Sequence, residues 1–345
     1  MINVHDEEFS KIAQDIKERF LGQVAFPKLI IGTGLSLMYD LPGMAALANR
    51  LNDFISQELA LKDEWEKIYE DVCKSGLESA LYRDVSPNLL HRIKIITSAY
   101  ILESEKKKLF SIFDKETGFT TLLKHLKNSL SENNPYIDIM TPNYDRIIEV
   151  CCDKVGLSVV TGYTGFIYKK NDFNKMIKKN KFNNHEKFVR LFKPHGSINI
   201  ISKNNECIEC NDFSFLEENV DKIQIITPGK SKYESSLTNM VYARPRESFD
   251  NILRNDKNYS LITFGYGFND EHFNKPLFEA LDNNSKGMLI ISYFVPDNII
   301  QQALTNSKIV VFCNNKERST LIYNKTEYQL TENLSDINNL FKLIL

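Results

Sequence analysis

Five short segments of this chain carry side chains able to do chemistry. His195 stands in Phe192-Lys193-Pro194-His195-Gly196, and an imidazole is the side chain whose ordinary pKa lets it take up or release a proton near neutrality. The glycine after it removes a side chain beside the ring and is read as leaving room for a substrate. Ile31-Gly32-Thr33-Gly34-Leu35-Ser36 is a glycine turn whose backbone N–H groups can approach a phosphate, with a helix start that favours its charge. Leu37 stands where the third glycine of a dinucleotide fingerprint would be, so a tight strand-to-helix turn explains the segment equally well. Met140-Thr141-Pro142-Asn143-Tyr144-Asp145 offers Asn143 and Asp145 either to a ligand or as caps for a following helix. Thr263-Phe264-Gly265-Tyr266-Gly267-Phe268-Asn269-Asp270-Glu271-His272 is a second glycine turn, with Asp270 and Glu271 placed to cap a helix. His272 has no His or carboxylate partner at i+3 or i+4 and is not read as a metal ligand. The fifth segment is the single Cys-x-x-Cys of Cys207 and Cys210.

The elements that must hold these groups are legible as continuous apolar runs: Lys28 to Ile31, Tyr136 to Met140, Ile223 to Ile226, Ser260 to Phe264, Met288 to Ser292 and Ile309 to Phe312. Runs without alternation suggest strands covered on both faces, as in a parallel sheet between helices. Met44, Leu47, Ala48, Leu51, Phe54 and Ile55 make one apolar stripe on a helix after the first strand, and Ile147, Val150 and Cys151 begin another after the second. Strand, glycine turn and helix, repeated, predict an α/β, Rossmann-like open parallel sheet. Leu59 to Leu130 shows helical periodicity around Leu89 to Phe113 without a clear strand, and is read as a helical insertion. Tyr163 to Glu218 is polar and irregular, with short strands near Phe188 to Phe192 and Ile198 to Ile201, and is read as a small lobe.

Composition narrows the function classes. The 345 residues are 42% hydrophobic and 26% charged, with net charge −2 and a pI near 6.3, an ordinary globular balance. No global positive charge argues for nucleic acid, and Lys106 to Lys108 and Lys175, Lys178, Lys179 and Lys181 read as solvated faces. The start lacks an apolar leader region and no stretch reaches the ~20 apolar residues of a membrane span, so no membrane partner is expected. Six scattered cysteines suit a reducing cytoplasm.

Taken in order, the chemical segments resemble the sirtuin (silent information regulator 2) family over roughly residues 25 to 315. A glycine-x-glycine-x-serine with a proline shortly after is matched by Gly32, Gly34, Ser36 and Pro42; the asparagine-x-aspartate motif by Asn143 and Asp145; the histidine-glycine pair by His195 and Gly196; a late glycine-rich strand end by Gly265 and Gly267. Two features depart from the protein deacylases. Their zinc site needs two Cys-x-x-Cys pairs and only Cys207 and Cys210 are present, a half-site or a chance spacing, so no metal is expected. Gly43 stands where their phenylalanine-arginine would follow the proline. The segments "TPNYD", "KPHGSIN" and "GYGFNDEHFN" are similar to the sirtuin-like domains of bacterial antiphage defence proteins, which hydrolyse NAD.

That resemblance implies a sirtuin-like NAD-binding domain over 20–330, including the insertion at about 59–130 and the lobe at about 163–218, followed by a C-terminal tail at 331–345. It implies NAD as substrate, Asn143 and His195 as catalytic, and Gly32, Thr33, Gly34, Ser36, Pro42, Asp145, Gly265, Gly267 and Phe268 around the nucleotide. It also implies NAD depletion as the biological output, with control through homo-oligomer assembly or through a separate partner such as a HerA-type hexameric ATPase. The alternatives are a zinc-dependent protein deacylase of the same fold and a module that holds NAD or ADP-ribose without turnover.

Overall fold

The computed structural model describes residues 2–132, 134–177, 187–204, 206–229, 240–315 and 318–345; Lys178, Lys179 and Lys181 of the second lysine cluster lie outside them. Among the described residues, nine strands form one sheet. Its order is Thr326–Gln329, Thr320–Tyr323, Ile309–Cys313, Ser285–Ile291, Tyr259–Phe264, Pro27–Ile31, Tyr136–Met140, Phe188–Phe192 and Ser158–Val160. All neighbours from Ile309–Cys313 to Ser158–Val160 pair parallel, and the two strands at the other edge pair antiparallel. This is the expected Rossmann-like open sheet. Its central strands are buried on both faces: Leu29 and Ile31 point into one apolar layer and Ile30 into the other.

The helices Glu7–Leu21, Gly118–Ser129, Ile147–Val155 and Ile337–Ile344 cover the first face. Met240–Asn255, Glu271–Asn283 and Asp297–Thr305 cover the second. Gly118–Ser129 leads into the second strand and starts in a reciprocal cap, in which Thr117 and Thr120 each accept from the other's backbone N–H. The segment read as a tail, 331–345, carries a helix whose Ile337, Leu340, Phe341 and Ile344 are buried in the first layer. Likewise Phe9, Ile12, Ile16 and Phe20 bring the N-terminal helix into that layer.

Three expectations are corrected. The helix Met44–Ile55 does not cover the sheet: Leu47, Leu51 and Ile55 pack with Trp65, Ile68, Leu89 and Ile93 in a separate helical core. Met44 and Phe54, counted into its stripe, remain 38% and 39% exposed. Periodicity identifies an apolar face without saying what will cover it. The helical insertion therefore begins at this helix and ends with the long helix Pro87–Asp114, started by the Ser86 cap and Pro87.

Phe188–Phe192 belongs to the main sheet and not to the lobe. Arg190 had broken its apolar run, yet it is buried with its guanidinium on Asp138, Nε to Oδ1 at 2.6 Å and Nη2 to Oδ2 at 2.9 Å. Lys28 donates to the same carboxylate at 2.9 Å. Burial disfavours the charge on Asp138, but the two cations outweigh it and hold the carboxyl below its usual range. Finally, Ile223–Ile225 pairs antiparallel with Gly196–Lys203, in a five-stranded sheet with Glu206–Glu209, Lys169–Asn171 and Tyr163–Thr164. Ile198, Ile201, Ile208, Leu216, Ile223 and Ile225 give this lobe an apolar core with Leu102 of the long helix. No helix among the described residues is long and apolar enough to cross a membrane.

Candidate active site

The first strand and its neighbour Tyr259–Phe264 end together, and each runs into a glycine turn. Gly32 N–H donates to Phe264 O at 2.9 Å and Gly34 N–H to Gly265 O at 3.1 Å. A Cβ on Gly32 would stand 2.3 Å from Gly265 O, and one on Gly34 would stand 2.5 Å from Gly265 Cα. Gly265 has φ +56°, where glycine is favoured. These glycines thus let two backbones touch. The amide of Gly34, expected to face a phosphate, is bonded within the fold.

The next strand joins through Thr141, whose hydroxyl donates to Ile31 O at 2.7 Å and accepts from Asn143 N–H at 3.1 Å. Asn143 Nδ2 then donates to Gly32 O at 2.9 Å and to Ser36 Oγ at 3.0 Å. Ser36 Oγ in turn donates to Asp145 Oδ2 at 2.6 Å, while Asp145 Oδ1 accepts from Ile147 N–H at 3.2 Å. Asp145 is therefore both a helix cap and the anchor of Ser36. All three side chains are buried. The amide nitrogen of Asn143 is committed to the fold, and no described residue donates to its Oδ1, an atom that can accept a hydrogen bond.

His195 enters from the strand Phe188–Phe192. Its ring lies 5.1 Å from that of Phe273, and its Nε2 is 3.5 Å from Asp270 Oδ2. Asp270 also caps the helix Glu271–Asn283, accepting from His272 N–H at 3.1 Å. The expected space beside His195 is not open. Gly196 has φ +81°, and a Cβ there would stand 2.1 Å from Gln224 O and 2.9 Å from the Tyr242 ring. That glycine admits the lobe strand Ile223–Ile225 rather than a substrate.

A cleft of about 730 Å³ brings Gly32, Thr33, Gly34, Ser36, Pro42, Asn143, Asp145, His195, Gly265 and Gly267 to one surface. Phe268 lies outside it; its ring sits in the second apolar layer, 4.8 Å from Tyr266 and 6.2 Å from Phe278. Sequence reasoning missed several lining groups: Glu78 and Tyr100 from the insertion, Ser292 to Phe294 after the strand Ser285–Ile291, and Asn333 with Ser335 to Asn338. Ser292 was within reach, since strand C-termini of an open sheet face the ligand crevice. Asp336, which caps the last helix through Asn338 N–H at 2.8 Å, was signalled by an acidic residue just ahead of an apolar run. Beyond His195 a second cleft opens, with His195, Glu78 and Asp270 lining both.

The model of the SIR2-like domain matches residues 138–312, just over half of the chain. The chain belongs to the SIR2-like family. The match holds Asn143, Asp145, His195, Gly265 and Gly267; Gly32 to Ser36 precede it and reach the site through the sheet. No curated protein matches the chain. SIR2-like domains bind NAD, and the cleft at the strand ends is where an open sheet takes a nucleotide.

Cys207 is half-buried and Cys210 buried on and after the strand Glu206–Glu209. No group of three or more His, Cys, Asp or Glu among the described residues could hold a metal ion. Burial raises the Cys207 thiol above its ordinary range, against the pull of Lys94.

Proposed function

We propose that this SIR2-like protein is an NAD glycohydrolase, cleaving NAD to nicotinamide and ADP-ribose. The observation that carries the reading is a single cleft running over the ends of five neighbouring strands, with Asn143 and His195 toward one end. From Phe188–Phe192 to Ser285–Ile291 there are four inter-strand steps, about 19 Å at roughly 4.8 Å each, a span suited to an extended dinucleotide. The nicotinamide ribose would lie by Asn143 and His195, the diphosphate across the glycine turns, and the adenylate toward Ser292.

Water attacks C1′ of the nicotinamide ribose as the C1′–N bond breaks. The bonding pair moves to the ring nitrogen and neutralises the pyridinium, through an oxocarbenium-like state. Asn143 Oδ1 would accept from that water or from a ribose hydroxyl and fix its approach. His195 would take the proton released as the new C–O bond forms. Ser36 and Asp145 hold Asn143, and Pro42 walls the cleft. Hydrolysis rather than deacylation is favoured because the described lobe has one Cys-x-x-Cys where the deacylases' zinc site needs two, and is held by its own apolar core. We infer further that the enzyme acts in antiphage defence by NAD depletion. Control would come from homo-oligomer assembly or from a partner such as a HerA-type ATPase, since an unrestrained NADase would drain the cell.

The test is incubation of the purified chain with NAD over a wide range of protein concentration, with and without its partner, and with Asn143→Ala and His195→Ala as controls. Nicotinamide and ADP-ribose should appear in equal amounts and fall at least about 100-fold in either variant. Full activity in both variants overturns the assignment. Product that requires an acylated peptide returns the deacylase, and NAD binding without product returns the non-catalytic module.

A further inference from the structure

Asp270 reads from the sequence as a helix cap, and it is one; its position opposite His195 calls for a second role. The carboxylate is oriented by its cap, because Oδ1 holds His272 N–H at 3.1 Å while Oδ2 stands 3.5 Å from His195 Nε2. The two side chains are 12% and 6% exposed, so little water screens them. Phe273, one turn into the same helix, packs on the imidazole and fixes its plane. The loop from Gly265 to Asp270 reaches this point through Gly265 at φ +56° and Phe268 at φ +55°. A bulky residue at positive φ is a strained conformation held by its surroundings, here by the burial of the Phe268 ring.

We propose that Asp270 is the positioning residue of His195. It accepts from Nε2–H, fixes that tautomer, and stabilises the imidazolium that forms during NAD cleavage. This rests on the hydrolase reading. The water's proton passes to His195 as its oxygen bonds C1′, and the positive charge lost from the pyridinium is regained on an imidazolium beside a fixed carboxylate. The proton leaves to solvent after the products depart. The 3.5 Å separation is long for a hydrogen bond, as pairs of this kind often are before substrate binds.

Other charged or titratable side chains line the same two clefts. Among the described residues they are Asp145, Asp336 ahead of the last helix, Glu78 from the insertion, Glu271 and His272 at the start of the helix, and Arg246 from Met240–Asn255. Burial raises the phenols of Tyr144, Tyr242 and Tyr266, so they stay neutral. Asp270 holds an oxygen 3.5 Å from the ring nitrogen.

Asp270→Asn separates the two roles, because asparagine caps a helix as well as aspartate does while the charge is lost. NMR titration of the His195 imidazole without NAD should give a pKa lower by about one unit in the variant. Under turnover, kcat should fall about 10- to 100-fold with little change in KM, the acid limb of kcat/KM should move to lower pH, and Asp270→Glu should recover part of the rate. An unchanged imidazole titration overturns the pairing and leaves NAD hydrolysis standing. A shifted titration in a protein that releases no nicotinamide, with its partner present, sustains the pairing and overturns hydrolysis. A lower rate with an unmoved pH profile reduces Asp270 to its cap.

Discussion

Gly34→Ala tests whether the glycines of the first turn serve the backbone or the ligand. The added Cβ would stand 2.5 Å from Gly265 Cα and 3.4 Å from Gly265 C and O. Ordinary carbon contacts lie near 3.5–4.0 Å, so the two turns must part by about 1 Å. Neither can yield by rotating a side chain. Overpacking of this kind costs about 1–3 kcal/mol, and weakening the Gly34 N–H to Gly265 O bond adds about 0.5–1.5 kcal/mol. Replacing glycine with alanine in a helical turn returns about 1 kcal/mol. The net expectation is a loss of about 2 kcal/mol, from those three terms. Gly43→Ala is the matched control, since its Cβ would meet the mobile end of Leu37 at 2.9 Å and should cost under about 1 kcal/mol. Urea unfolding of both proteins reads the stability. For activity, a displacement of about 1 Å between Asn143 and the glycine turns should lower kcat/KM about 100-fold, read as nicotinamide release. A Gly34→Ala protein as stable and as active as Gly43→Ala would refute the contact argument.

Two further predictions concern stability. Burial pushes the Asp250 carboxyl up from 3.8 to about 6, against the pull of Arg246 and Arg254. A folded pKa above the unfolded one gives stability that is full below pH ~4 and lost as pH rises through about 6. Asp250→Asn, which cannot ionise, should therefore be more stable than the parent at pH 8, by at most about 3 kcal/mol for a shift of roughly 2 units, and equal to it at pH 4. Thermal melts at the two pH values check this; a gap independent of pH contradicts it. Phe341→Ala removes a side chain 1% exposed in the last helix and should cost about 3–5 kcal/mol in urea unfolding. A loss below 1 kcal/mol would contradict the burial of this helix in the first apolar layer.

What the sequence determined by itself is local. Unbroken apolar runs announced strands covered twice, and five of the six found their place in the main sheet, because a strand between helix layers has no polar face to show. Glycine after strand and acid before helix marked the turns, and Asp270 does cap its helix. Those signals reach only a few residues along the chain. The tertiary structure decided which surface each element meets. Arg190 sits inside a strand because Asp138, far away in sequence, pairs with it; the stripe from Leu47 to Ile55 buries against Trp65 because the insertion, not the sheet, reaches it. The same holds at the site. Ser36 and Asp145 bond across 109 residues, and Asp270 stands by His195 only because the helix it caps packs against that ring. Spacing can nominate a residue type for chemistry, but partner, distance and burial arise when separate segments compete for the same interior space.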